Sequence, residues 1–213
     1  MSNVIFESDK TMSAGRKRAF DKAEALDKAM HVFWENGYSG TSVTDLTAAL
    51  GINKPSMYAA FGNKEQLFAT ALEHYMVNYR APVLQRLTEP PEAPLRERMR
   101  AFLCGVIDLV SNPAAPKGCL FVKSCCESGS VAIPDDITSS LGNMALDHED
   151  MLANLLEAEQ QRGQLPENAE VQIIAGYLVT VMAGLSVQAR RGKSSEELKA
   201  LVDMIVSSIP GVV

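Results

Sequence analysis

Two lysines, three hydroxyls and a basic run near the N-terminus carry the most readable chemistry in this chain. Lys54 and Lys64 can neutralise phosphates, and the hydroxyls of Thr44, Ser56 and Tyr58 can donate to phosphate oxygens. Arg16, Lys17 and Arg18 form a basic arm that could reach phosphates or an adjacent minor groove. Catalytic chemistry is not legible in the same way. The three histidines, His31, His74 and His148, pair with no Ser or Cys in a recognisable motif. No HExxH, no Walker-type Gly-Lys-Ser/Thr loop and no Gly-rich fingerprint occurs. The expectation is a non-enzyme without cofactor or metal.

These side chains need elements to aim them. Apolar residues recur at helical spacing from Phe20 to Asn36, and Asn36-Gly37 ends that helix. Ser42 and Asp45 fit a capping box for a short helix that stops at Leu50. Gly51-Ile52-Asn53 makes a tight turn, and Asn53 caps a second short helix with Pro55 in its first turn, closed by Phe61-Gly62. Two short helices about a tight turn have helix-turn-helix geometry. The first buries Val43, Leu46 and Leu50, and the second buries Met57 and Phe61. The second therefore presents Lys54, Pro55, Ser56, Tyr58, Ala59 and Ala60 to a major groove. A helical hairpin inside an ordinary bundle, with Tyr58 as a packing aromatic, is the competing reading; the basic arm weighs against it.

The rest reads as helices at about 64–79, 94–111, 119–128, 134–163, 168–190 and 195–208, with a loop at 112–118. No strand-like alternation competes. The fold class is all-α, about nine helices, divided into a disordered tail (1–14), a DNA-binding head (15–64, with a linking helix 64–79) and a helical body (80–213).

Charge follows that division. Residues 10–64 hold eight basic and five acidic groups, a balance of +3, while the whole chain carries −6. A mildly basic head on an acidic body suits a protein that presents only its head to nucleic acid. No apolar run approaching a membrane span is expected, and the N-terminus lacks a signal peptide's order, so the expected location is cytoplasmic, at the nucleoid. Cys104, Cys119, Cys125 and Cys126 show no zinc-like spacing and read as reduced thiols.

The stretch from Phe20 to Phe68 resembles the DNA-binding head of the TetR family of bacterial regulators. The matching pieces are Phe33 and Trp34, Asn36-Gly37-Tyr38, Thr41-Ser42-Val43, Asp45-Leu46, Ala49-Leu50-Gly51-Ile52, Pro55-Ser56-Met57-Tyr58, Phe61 and the run from Asn63 to Phe68. The resemblance implies phosphate contacts from Thr44, Lys54, Tyr58 and Lys64, and base-edge contacts near Pro55, Ser56 and Ala59. Many members carry larger residues where this chain has Ala59 and Ala60. Methyl groups cannot hydrogen-bond a base, so specificity is expected to lean on Ser56, Lys54, thymine methyl contacts and DNA shape.

In the body, helix 168–190 has an apolar surface wider than a monomer needs, and helix 195–208 adds more. The expected partner is a second copy, joined through both helices as a four-helix bundle and reading a palindromic double-stranded operator. The middle helices supply a candidate effector pocket, implied by the resemblance: Phe102, Phe121, Cys125, Met144, His148, Met151 and Tyr177. Such a lining favours a small apolar or aromatic molecule. Plain core packing is the alternative for each residue, and a solvated helix face is the alternative for His148 beside Asp147, Glu149 and Asp150. Two further readings remain: a thiol sensor using Cys119, Cys125 or Cys126, with Lys123 favouring thiolate, and a protein-binding helical scaffold that does not touch DNA.

Overall fold

The computed structural model describes residues 21–130 and 133–212. The tail at 1–14 and the arm residues Arg16, Lys17 and Arg18 lie outside these residues. Every regular element among the described residues is helical. They are α1 (Lys22–Asn36), α2 (Val43–Leu50), α3 (Lys54–Phe61), α4 (Lys64–Tyr75), a π-helical turn (Met76–Arg80), α5 (Ala81–Thr88), α6 (Leu95–Val110), α7 (Leu120–Glu127), α8 (Asp135–Gln161), α9 (Val171–Arg190), α10 (Ser195–Lys199) and α11 (Val202–Ser207). The π turn joins α4 and α5 into one rod, and α10 and α11 follow each other across Ala200 and Leu201. The described residues therefore form nine rods, the number the sequence predicts.

Local signals set the head. Asp21 caps α1 by accepting from the amides of Ala23 and Glu24. Ser42 and Asp45 form the reciprocal capping box at α2: the Asp45 amide donates to Ser42 Oγ at 3.1 Å, and the Ser42 amide donates to Asp45 Oδ2 at 2.8 Å. Gly51 ends α2 at φ 67°, a left-handed conformation that costs a side-chain-bearing residue energy. α1 packs along α4, and α2 packs on α1 and α3. Phe33, Tyr38 and Phe68 fill the centre, Phe33 and Phe68 meeting edge to face with centroids 5.1 Å apart.

The linking helix departs from the sequence expectation. It does not stop at Tyr79 but runs through the π turn to Thr88. Pro82 explains the widening. A proline within a helix lacks a donor and crowds the carbonyl four residues back. The turn before it loosens so that the Ala81 amide reaches back five residues to Met76 O.

The body packs α6 between α5 and α9, with α8 along α9 and α7 wedged against α1, α4 and α8. A buried ion pair fastens its far end. The Arg98 guanidinium donates to both Glu159 oxygens and to the carbonyls of Leu87 and Ala93. One expectation needs correction. α9 is 20 residues long and holds an 18-residue stretch of mean hydropathy 1.6, apolar enough by length and composition to cross a membrane. Its buried face, with Ile174, Leu178, Met182 and Leu185, packs into the body.

Candidate nucleic-acid interface and effector cavity

The interface is built from α2 and α3. Met57 and Phe61, four residues apart, anchor one side of α3 in the head. That anchoring turns Lys54, Pro55, Ser56, Tyr58 and Ala59 to solvent, with Ala60 half-buried behind them. Asn53 caps α3, its side chain accepting from the Ser56 amide at 2.9 Å. Tyr58 is 41% exposed, too open for a packing aromatic, and the Lys54 ammonium stands 5.7 Å from its ring centroid. Thr44 is exposed on α2. Lys64 opens α4 with its ammonium 4.0 Å from the Tyr38 ring centroid, while the Tyr38 hydroxyl donates to Glu65 at 2.8 Å. Partial burial lowers the Lys64 pKa, and the Glu65 and Glu127 carboxylates oppose that shift. The structure thus leaves Thr44 on α2 and Lys54, Ser56, Tyr58 and Ala59 on α3 exposed, with Lys64 set at the start of the linking helix.

The head is tied to the body at the C-terminal end of α1. The Trp34 indole donates to Gly118 O at 3.1 Å. Lys123 donates to the carbonyls of Trp34 and Glu35 at 3.2 and 2.6 Å, capping the end of α1 with a cation. The Ser39 amide donates to Glu127 at 3.2 Å. Position 118 adopts φ 88° and packs against Ser186 of α9, so a side chain there would be strained. Next to it, the Cys119 amide donates to Ser186 Oγ at 2.8 Å.

Behind this junction lies a cavity of about 400 Å³ between the linking helix, α6, α7, α8 and α9. Of the seven predicted pocket residues, Phe102, Met144, His148 and Met151 line it. Phe121 is buried one layer back, its ring 5.4 Å from the Arg80 guanidinium. Cys125 is half-buried and off the wall. Tyr177 points elsewhere: it is exposed on α9, and its hydroxyl accepts from Ser208 at 2.8 Å. His148 does not sit on a solvated face. It turns into the cavity wall, where Arg80 donates to its Nε2 at 2.6 Å. Burial, and secondarily the Arg80 charge, hold His148 down at about 4, so its imidazole is neutral.

The linking-helix side of the cavity escaped the sequence reading. Met76, Arg80 and Leu84 recur every fourth residue and all line the cavity. That spacing was available in the sequence, but a lone arginine in such a stripe reads as solvated. The thiol-sensor reading meets a physical obstacle at Cys125, whereas Cys126 is exposed. Lys123 is engaged by α1 carbonyls, and burial pushes the Cys125 thiol up to about 11, away from thiolate. Among the described residues, no group of three or more His, Cys, Asp or Glu side chains is gathered to hold a metal.

Two short capped helices about a tight Gly51 turn, carried on a helical body, define the helix-turn-helix class of transcriptional regulators. The chain belongs to the TetR family: residues 25–71 match the family of bacterial regulatory proteins of that name, and residues 96–205 match the tetracycline repressor-like C-terminal domain. It is 32% identical to the HTH-type transcriptional repressor ComR of Escherichia coli K12, over 94% of each chain. It is 30% identical to the repressor BdcR of the same organism, over 92% of each. Among solved structures it is similar to a cysteine-substituted TetR-family regulator CifR complexed with 26-bp operator DNA, at TM-score 0.83 and 33% identity, covering 92% of this chain and 100% of that one. Reduced E. coli NemR, at TM-score 0.72 and 23% identity over 89% of this chain and 98% of that one, shares the fold.

Proposed function

We propose that this protein is a dimeric repressor of the bacterial cytoplasm, released from a palindromic operator by a small, largely apolar molecule bound in the 400 Å³ cavity. One observation carries the reading: residues 64–88 form a single rod that packs along α1 of the DNA-binding head and also walls the cavity. Filling the cavity pushes on that rod. The bonds from Trp34 to the Gly118 carbonyl and from Lys123 to the carbonyls of Trp34 and Glu35 transmit the displacement to α1. The two recognition helices of a dimer then lose the spacing of half-sites one helical turn apart.

On the operator, Thr44, Lys54, Tyr58 and Lys64 hold phosphates, and Pro55, Ser56 and Ala59 face base edges. Arg16, Lys17 and Arg18 extend the phosphate contacts from outside the described residues. The likeness to ComR, BdcR and operator-bound CifR supports repression over activation. The test is selection of a binding sequence from random DNA, followed by a salt titration of affinity. A palindrome whose affinity falls steeply with salt is expected. Absence of any sequence-preferring complex would instead favour a protein-binding scaffold.

A further inference from the structure

Arg80 is the anomaly of the cavity. It lies at the end of the π turn, half-buried, with its guanidinium over the Phe121 ring. Its protein partners are His148 Nε2 at 2.6 Å and the Met76 thioether at 3.8 Å. No carboxylate of the described residues forms an ion pair with it. A guanidinium has five donors, and a neutral imidazole and a thioether occupy two of them. A partly desolvated cation without a counter-charge is costly unless something else supplies one. The buried part of the wall offers none, being apolar there with Met182 and Phe102, and the carboxylates at its border form no ion pair with Arg80.

We propose that the effector carries an anionic head, a carboxylate or a group of equal charge and similar shape, which binds Arg80 while its apolar remainder packs among the methionines. This inference rests on the cavity being the effector site. Arginine suits a planar carboxylate because its fork donates two parallel hydrogen bonds. His148 is neutral, so it lets Arg80 keep its charge for the ligand instead of cancelling it. Glu73 and Asp147 also border the cavity, but both are exposed to solvent, where water screens them. The head seats on the rod that carries the DNA-binding head at its other end, so the charged contact and the mechanical one coincide.

The test compares three probes on one skeleton: 2-naphthoate, 2-naphthamide and 2-(aminomethyl)naphthalene, titrated calorimetrically into the full chain. The naphthoate is expected to bind about 10- to 100-fold more tightly than the amide, the worth of a charge-assisted hydrogen bond. Arg80→Met should erase that preference, and Arg80→Lys should restore part of it. Equal binding of acid and amide, preference for the amine, or no binding of the acid at millimolar concentration overturns the proposal. The wild-type comparison needs no variant, so a poorly folded Arg80 substitution does not protect the idea. Val106→Trp with Val110→Trp, which puts two indoles into the cavity, separates the two claims. If it leaves naphthoate binding intact, the cavity reading fails; if it blocks amide and acid alike while both bind the wild type equally, only the anionic head fails.

Discussion

The indole N–H of Trp34 donates to the carbonyl of Gly118 at 3.1 Å, joining the DNA-binding head to a segment that borders the effector cavity. Both groups are buried. Trp34→Phe keeps an aromatic ring but strands that carbonyl without its donor. The expected cost is about 1–3 kcal/mol, or on the order of 2–10 °C in Tm for a chain of this size. Thermal unfolding followed by circular dichroism measures it, and an unchanged Tm would show that the bond contributes nothing. Trp34 is also the sole tryptophan, so its fluorescence should respond when the cavity fills.

Lys54 makes no ion pair among the described residues and stands at the exposed start of α3. Lys54→Ala should weaken DNA binding by a similar factor on every sequence. The slope of log affinity against log salt should become shallower by about one. A variant that changed sequence preference and left the slope intact would place Lys54 on a base.

The head was legible because its signals are local. Ser42 with Asp45, Asn53 with Pro55, and Gly51 each fix a boundary within four residues of themselves, and the structure places them as read. The cavity was legible only in part because its wall is assembled from five rods. Helical periodicity shows that Tyr177 and Met144 lie on apolar stripes but not which stripe meets which neighbour. Tyr177 proved to face outward beside Ser208, whereas Arg80 faced inward. The π turn left no mark except Pro82, whose constraint is relieved by the turn before it.

Arg98 and Glu159 form a buried pair, 2% and 9% exposed at their side chains, that holds the 87–98 corner against α8. Removing one partner leaves a charge in a dry site. Arg98→Met is therefore expected to cost about 3–5 kcal/mol in urea unfolding. The double variant Arg98→Met with Glu159→Leu should recover most of the loss, since an apolar pair of similar volume needs no counter-charge. Arg162, 3.1 Å from Glu159, softens the single variant without rescuing it.

His148 gives the protein a pH-dependent term of definite sign. Its folded pKa sits at about 4 against an ordinary 6.5. Between those values the unfolded chain takes up a proton that the folded chain refuses. The stability tied to His148 is complete above 6.5 and is lost as the pH falls toward about 4. Burial is the larger cause and Arg80 the smaller, so Arg80→Gln should raise the pKa but leave it below 6.5. Imidazole proton shifts in an NMR titration report both; a wild-type midpoint near 6.5 would mean that the ring is solvated after all.

The outer face of α9 and the last helix exposes Ile173 at 64%, Val187 at 46%, Leu201 at 40% and Met204 at 74%. A soluble monomer gains nothing from such a strip, and a two-fold pairing of both helices would bury it in a four-helix bundle. None of these four side chains supports the protomer's own core, so charging them should separate subunits without unfolding them. Ile173→Glu with Met204→Glu is expected to halve the mass seen by light scattering at micromolar concentration while leaving helical content unchanged. Operator affinity should fall by at least 100-fold, because a lone reader of α3's length contacts too few base pairs for tight specific binding. A double variant that stayed dimeric would move the interface elsewhere. One that became monomeric and still bound the operator tightly would remove the need for a palindrome.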